Sequence, residues 1–184
     1  MRKQPPTDSK KRKGLIIVNT GDGKGKSTAS FGLALRAAGN KMNVFIMQFM
    51  KGPWKAGERK ALKELVEYVE YEAMGDGFTW DTENPEQDRK TARDAFDIAK
   101  DKLMSGKYQM VILDEINYVL DYQFFPLEEF IETLRNKPKD VHVVCSGRNA
   151  NEKLIEMADL VTEMKLIKHP YDDQGIPAQK GIEF

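Results

Sequence analysis

The stretch Thr20-Gly21-Asp22-Gly23-Lys24-Gly25-Lys26-Ser27, followed by Thr28, holds the residue types that phosphate chemistry requires. Glycines at 21, 23 and 25 allow backbone conformations closed to other residues and can turn several N–H groups toward one point. If a helix starts here, its exposed N–H groups and partial positive charge add to the attraction for an anion. Lys26 supplies a full charge to the phosphates, and the Ser27 hydroxyl can ligate Mg²⁺. The usual pattern is G-x-x-x-x-G-K-[ST], and Thr20 stands at its first glycine position. The alternative, a glycine-rich turn capped by a lysine, is disfavoured by the apolar run before the stretch and the helical spacing after it.

Three other groups can join this chemistry. Asp114-Glu115 follows Met110-Val111-Ile112-Leu113. A carboxylate at the end of a buried strand beside a phosphate loop holds Mg²⁺ directly or through water. Arg148 follows another apolar run, with Gly147 before it, and can reach phosphate oxygens bidentately or pair with a surface carboxylate. Phe78 and Trp80 lie in a polar stretch with Gly75, Gly77 and Asp81. They either anchor that loop or offer a flat apolar surface to a planar ligand. Cys145 lies within Val141-His142-Val143-Val144-Cys145 and reads as a core residue, not a nucleophile. His169 reads as structural.

Strands and helices must alternate to bring these groups together. Leu15 to Val18 reads as a strand, and Phe31, Leu35 and Ala38 set a helix from about Ser27 to Ala38. Val44 to Phe49 is apolar enough for a strand covered on both faces. A short helix over Glu58–Val66 and a strand over Tyr68–Ala73 follow. A long helix from Pro85 to about Ser105 carries Ala92, Phe96, Ala99 and Leu103 on one stripe. Beyond the strand ending at Asp114 come a short helical piece at Ile116–Tyr122 and a helix from Pro126 to Arg135. The last elements are a strand at Val141–Cys145, a helix at Asn151–Ala158 and a strand at Leu160–Leu166. This alternation predicts a three-layer α/β domain with a mainly parallel sheet flanked by helices. Ligands in such sheets sit at the C-terminal ends of the strands.

The chain of 184 residues suits one domain with a full core, assigned to residues 14–184. Lys plus Arg and Asp plus Glu both number 29, so overall charge points to neither nucleic acid nor membrane. Residues 1–13 carry six cationic side chains against Asp8 alone, a local net of +5. With few apolar residues, this tail is expected to be mobile unless it folds over a polyanion. A single cysteine excludes an internal disulfide and suits a reducing compartment. No apolar run approaches the ~20 residues that span a bilayer, so a cytoplasmic protein is expected.

Several stretches together resemble the phosphate-loop ATP:corrinoid adenosyltransferases. They are the loop at 20–27, Gln48-Phe49-Met50-Lys51-Gly52 with Trp54 and Gly57-Glu58-Arg59, Gly77-Phe78-Thr79-Trp80-Asp81-Thr82, Leu113-Asp114-Glu115, Ser146-Gly147-Arg148, and the ending from Lys168-His169 to Gly181-Ile182-Glu183-Phe184. The similarity runs from about Gly14 to Phe184 and implies a RecA-like phosphate-loop domain. Thr20 at the first loop position resembles this family's own variant, while Asp22 replaces a common asparagine. The resemblance implies transfer of the 5′-deoxyadenosyl group of ATP to the Co(I) of cobalamin or a precursor, with release of triphosphate. It implies that residues 20–28 and Arg148 hold ATP, with Lys26 acting on the leaving group. Mg²⁺ or Mn²⁺ would be held by Ser27 and Glu115, with Asp114 behind them. Phe78 and Trp80 would lie under the corrin and displace its lower axial ligand. A reduced flavodoxin-like donor and a homodimer are implied as well.

Overall fold

The structure, a computed structural model, describes residues 13–49, 57–64, 67–74 and 84–183. Six strands alternate with helices. They are β1 (Ile16–Thr20), α1 (Lys26–Gly39), β2 (Val44–Gln48), α2 (Gly57–Lys63), β3 (Val69–Ala73), α3 (Pro85–Met104) and β4 (Met110–Asp114). Then come α4 (Ile116–Asp121), α5 (Leu127–Arg135), β5 (His142–Ser146), α6 (Glu152–Met157), β6 (Leu160–Glu163) and α7 (Pro170–Gln174). The strands form one sheet in the order β3-β2-β4-β5-β1-β6, and every described pairing is parallel.

Strand periodicity divides the core between two faces. Val18, Phe45, Met47, Val111, Leu113, Val143 and Cys145 pack with α3, α4, α5 and α6. Their neighbours Ile17, Val44, Ile46, Met110, Ile112 and Val144 pack with α1 and α2. β1, β2 and β4 are therefore buried along their whole length, as their uninterrupted apolar runs require. In α3 the stripe Ala92, Phe96, Ala99 and Leu103 is buried, and Phe96 stacks on Phe125 at 4.3 Å between centroids. Asn84 caps this helix by accepting from the Gln87 N–H, with Pro85 opening it.

Four expectations change. Leu35, assigned to the inward stripe of α1, is 59% exposed; the buried face is Phe31, Ala34, Ala37 and Ala38, whose small alanines let the helix approach the sheet there. The last strand stops at Glu163, since the backbone then turns toward the glycine loop. α2 ends at Lys63, and α7 was not anticipated from its short, largely polar sequence. Of the basic tail, Lys13 lies within the described residues and pairs with Asp159; residues 1–12 lie outside them.

At the opposite end of the sheet from the glycine loop, His142 Nδ1 accepts the Leu15 N–H at 3.1 Å. Burial, reinforced by the Lys137 cation, holds its pKa below the ordinary histidine value. The unfolded chain thus binds a proton near pH 6.5 that the folded chain refuses. Stability is therefore expected to fall as pH drops below about 6.5, by at most about 1.4 kcal/mol per pH unit from this group. Thermal unfolding of wild type and His142→Asn between pH 7 and pH 5 checks this, the variant showing the shallower slope.

Candidate active site

Strand order sets the geometry of the C-terminal edge. β5 lies between β1 and β4, and the register puts Asn19 beside Ser146 and Gln48 beside Asp114. Four polar side chains thus line up at the edge where apolar strands end.

The glycine loop leaves β1 and opens α1. Gly21 and Gly25 have φ of 92° and 107°, values that L side chains rarely adopt. A Cβ at Gly21 would lie 2.6 Å from the Met164 carbonyl oxygen, and one at Gly23 would lie 2.7 Å from it. The Gly23 N–H donates to that carbonyl at 2.6 Å, so the chain after β6 backs the loop. Thr20, where phosphate loops carry glycine, accepts the Ala150 N–H on Oγ1 at 3.2 Å and ties the loop to the segment after β5.

Lys26 Nζ donates to the carbonyls of Gly21 (2.7 Å) and Gly23 (2.6 Å). Burial lowers its pKa, and the Glu115 carboxylate opposes that shift while Arg148 adds to it. Ser30 accepts from Asn19 and donates to the Lys26 carbonyl, which locks the start of α1 onto β1. No side chain caps α1 and no acid lies in its first turn, so no residue of the helix itself neutralises the N-terminal field that faces the loop. Ser27 is partly exposed at that turn, and Thr28 is exposed.

Asp114 is fully buried. Gln48 Nε2 donates to one carboxylate oxygen at 2.6 Å and Ser146 Oγ to the other at 2.5 Å. The Tyr71 hydroxyl donates to Gln48 Oε1, which fixes the orientation of that amide. Ser146 Oγ also accepts the Glu115 N–H at 3.1 Å. Glu115 itself sits at φ 66°, an uncommon conformation for a non-glycine residue and a mark of local constraint. Across from it Gly147 has φ 125°, and a Cβ there would lie 3.3 Å from Glu115 Oε2. The Asn117 amide donates to the Gly147 carbonyl at 2.8 Å. Arg148 Nε lies 3.7 Å from Asp22 Oδ1.

The structure therefore gathers residues 20–28, Asp114, Glu115 and Arg148 at one sheet edge. Phe78 and Trp80, and also Met50 and Trp54, lie outside the described residues. Among the described residues there is no cluster of three or more His, Cys, Asp or Glu able to hold a metal ion by itself. Ser27 and Glu115 both carry hard oxygen donors, the type that Mg²⁺ takes together with phosphate and water oxygens. Sequence reading missed the Gln48 and Ser146 anchors of Asp114. It also missed a column of stacked rings, Tyr118–Tyr122–Phe124, with centroids 6.3 and 5.8 Å apart. The four-residue spacing of Tyr118 on α4 and Tyr122 at its C-terminal cap was the available signal.

Fold and site together define a class: an all-parallel α/β protein with a glycine-rich, lysine-bearing loop at the head of its first helix. The chain belongs to the ATP:corrinoid adenosyltransferase BtuR/CobO/CobP family, whose model matches residues 12–184. A corrinoid adenosyltransferase from Sinorhizobium sp. is 47% identical over 174 residues, covering 94% of this chain and 81% of that protein. The corrinoid adenosyltransferase of Escherichia coli K12 is 42% identical, with 94% and 86% of the two chains covered. Corrinoid adenosyltransferase CobA of Salmonella typhimurium LT2 is 40% identical, covering 96% and 88%. No helix among the described residues is long and apolar enough to cross a membrane.

Proposed function

We propose that this enzyme transfers the 5′-deoxyadenosyl group of ATP to the Co(I) of a corrinoid and releases triphosphate. The observation that carries the reading is the loop itself. Lys26 is seated among its carbonyls, with the α1 N-terminus behind it, in a chain of this family. The cobalt electron pair attacks C5′, a Co–C bond forms, and the C5′–O bond breaks with its pair going to triphosphate. The nucleophile carries no proton, so a general base has no task. The protein must align C5′ with cobalt and stabilise charge growing on the departing oxygen. Loop N–H groups, Lys26 and Arg148 suit that demand. Partial burial of Lys26 strengthens its attraction for phosphate, because less water screens it.

Ser27 and Glu115 would hold Mg²⁺ or Mn²⁺. Asp114, both oxygens engaged by Gln48 and Ser146, would act through bound water or by fixing the strand end. The metal would screen the triphosphate charge. Phe78 and Trp80 would occupy the lower corrin face and exclude an axial donor, which eases reduction to Co(I). A reduced flavodoxin-like protein would supply the electron, and the enzyme would work as a homodimer in the cytoplasm.

Formation of the Co–C bond from ATP and chemically reduced corrinoid, followed anaerobically by its absorption spectrum, tests the assignment; no spectral change would reject it. Trp80→Ala should lose about tenfold more activity, or about 1.4 kcal/mol more, with flavoprotein-fed Co(II) than with prepared Co(I). Equal losses would remove Trp80 from the axial role.

A further inference from the structure

Three cations at the glycine loop, Lys24, Lys26 and Arg148, have anionic or carbonyl partners. Lys26 rests on the Gly21 and Gly23 carbonyls, and Arg148 faces Asp22. Lys24 Nζ lies 2.6 Å from Glu183 Oε2, a residue 159 positions further along the chain. Glu183 arrives there by a defined path. After β6 the backbone passes behind the loop, where Met164 accepts the Gly23 N–H and Lys165 leaves no room for a Cβ at position 23. It then forms α7 and turns back at Gln179, whose carbonyl accepts the N–H groups of Ile182 (3.1 Å) and Glu183 (2.9 Å), with Gly181 at φ 82°. The segment from Met164 to Glu183 thus brackets Gly23 and Lys24 from both ends. Its first contact is a backbone bond packed against glycines. Its last is a side-chain ion pair in which Glu183 is 22% and Lys24 49% exposed.

These two ends differ in how readily they part. The Gly23–Met164 bond cannot open without moving the loop. The Lys24–Glu183 pair is partly open to water on its lysine side and joins a flexible ammonium with three donors to a single carboxylate. A triphosphate group bound by the loop would present several anionic oxygens to the same ammonium.

We propose that Glu183 is a positioning residue acting through Lys24: the ammonium exchanges Glu183 for phosphate oxygens when the triphosphate group binds, and returns to Glu183 when triphosphate leaves. This rests on the reading of the loop as the triphosphate site. Glu183 then competes with the leaving group for Lys24, so it weakens retention of the product and speeds its departure.

Titration calorimetry of the full chain with inorganic triphosphate and Mg²⁺ tests the exchange. Glu183→Gln should bind triphosphate roughly two- to fivefold more tightly than wild type, and KM for ATP should fall by a similar factor. Lys24→Met should bind more weakly, and adding Glu183→Gln to it should change nothing further. The gain from Glu183→Gln should also vanish near 1 M salt, where the screening length is only about 3 Å. Thermal midpoints of all variants confirm folding, and should Glu183→Gln fail to fold, Glu183→Ala in wild-type and Lys24→Met backgrounds gives the same comparison. Unchanged or weaker triphosphate binding in Glu183→Gln, or an equal effect without Lys24, overturns the proposal while leaving the loop assignment intact. Failure of the wild type to bind triphosphate overturns both.

Discussion

Replacing Lys26 with alanine is expected to lower kcat/KM for ATP by about 10²–10³-fold, equivalent to about 2.7–4 kcal/mol of transition-state stabilisation. The size follows from where the charge sits. Lys26 Nζ is held between two loop carbonyls, close enough to Glu115 and Arg148 for their charges to oppose and reinforce its burial shift. It is therefore a fixed charge in a partly desolvated nest, and electrostatic stabilisation of a leaving oxyanion is strongest under those conditions. The loss should be the same for every corrinoid acceptor, because the defect lies on the nucleotide. Arginine should not restore activity, since its planar fork cannot occupy the pocket formed by the Gly21 and Gly23 carbonyls. Steady-state rates with chemically supplied Co(I) measure this directly; wild-type turnover in Lys26→Ala would remove the loop from the chemistry.

The second large effect is on the frame that holds the site. Asp114→Ala should destabilise the protein by about 3 kcal/mol or more, because two charge-assisted hydrogen bonds are lost and the Gln48 and Ser146 donors remain buried without an acceptor. In a chain of this size that lowers the thermal midpoint by about 6–12 °C. Turnover should fall too, since Ser146 Oγ also receives the Glu115 N–H, so loss of the carboxylate loosens the residue expected to face the metal. Thermal unfolding and kcat measured side by side test this. A midpoint within about 2 °C of wild type would mean that water or a side-chain shift satisfies Gln48 and Ser146 at little cost.

The parts of this architecture legible in the sequence are those written locally. Glycine spacing at 21, 23 and 25, the buried run ending in Asp114 and the α3 stripe each reflect a rule that operates within one element. What was not legible depends on contacts between distant positions. Gln48 meets Asp114 only because β2 and β4 are neighbours, and Tyr71 reaches Gln48 only because β3 lies beyond β2. Leu35 fits a helical period, yet it is exposed because the small residues Ala34 and Ala37 let α1 approach the sheet on a different face. Thr20 departs from the common phosphate-loop pattern, and what its hydroxyl does there, receiving the Ala150 N–H, depends on a residue 130 positions away. The return of Glu183 to Lys24 across 159 positions carries no local signature at all. Phe78 and Trp80 remain assigned by resemblance.

If the loop grips the group that leaves, the bond broken is the one at C5′. Phosphorus NMR of the products formed anaerobically from ATP, Mg²⁺ and Co(I) corrinoid shows which bond has been cut. Intact triphosphate is expected, one for each adenosylated corrinoid formed. ADP and inorganic phosphate as the main products would contradict it.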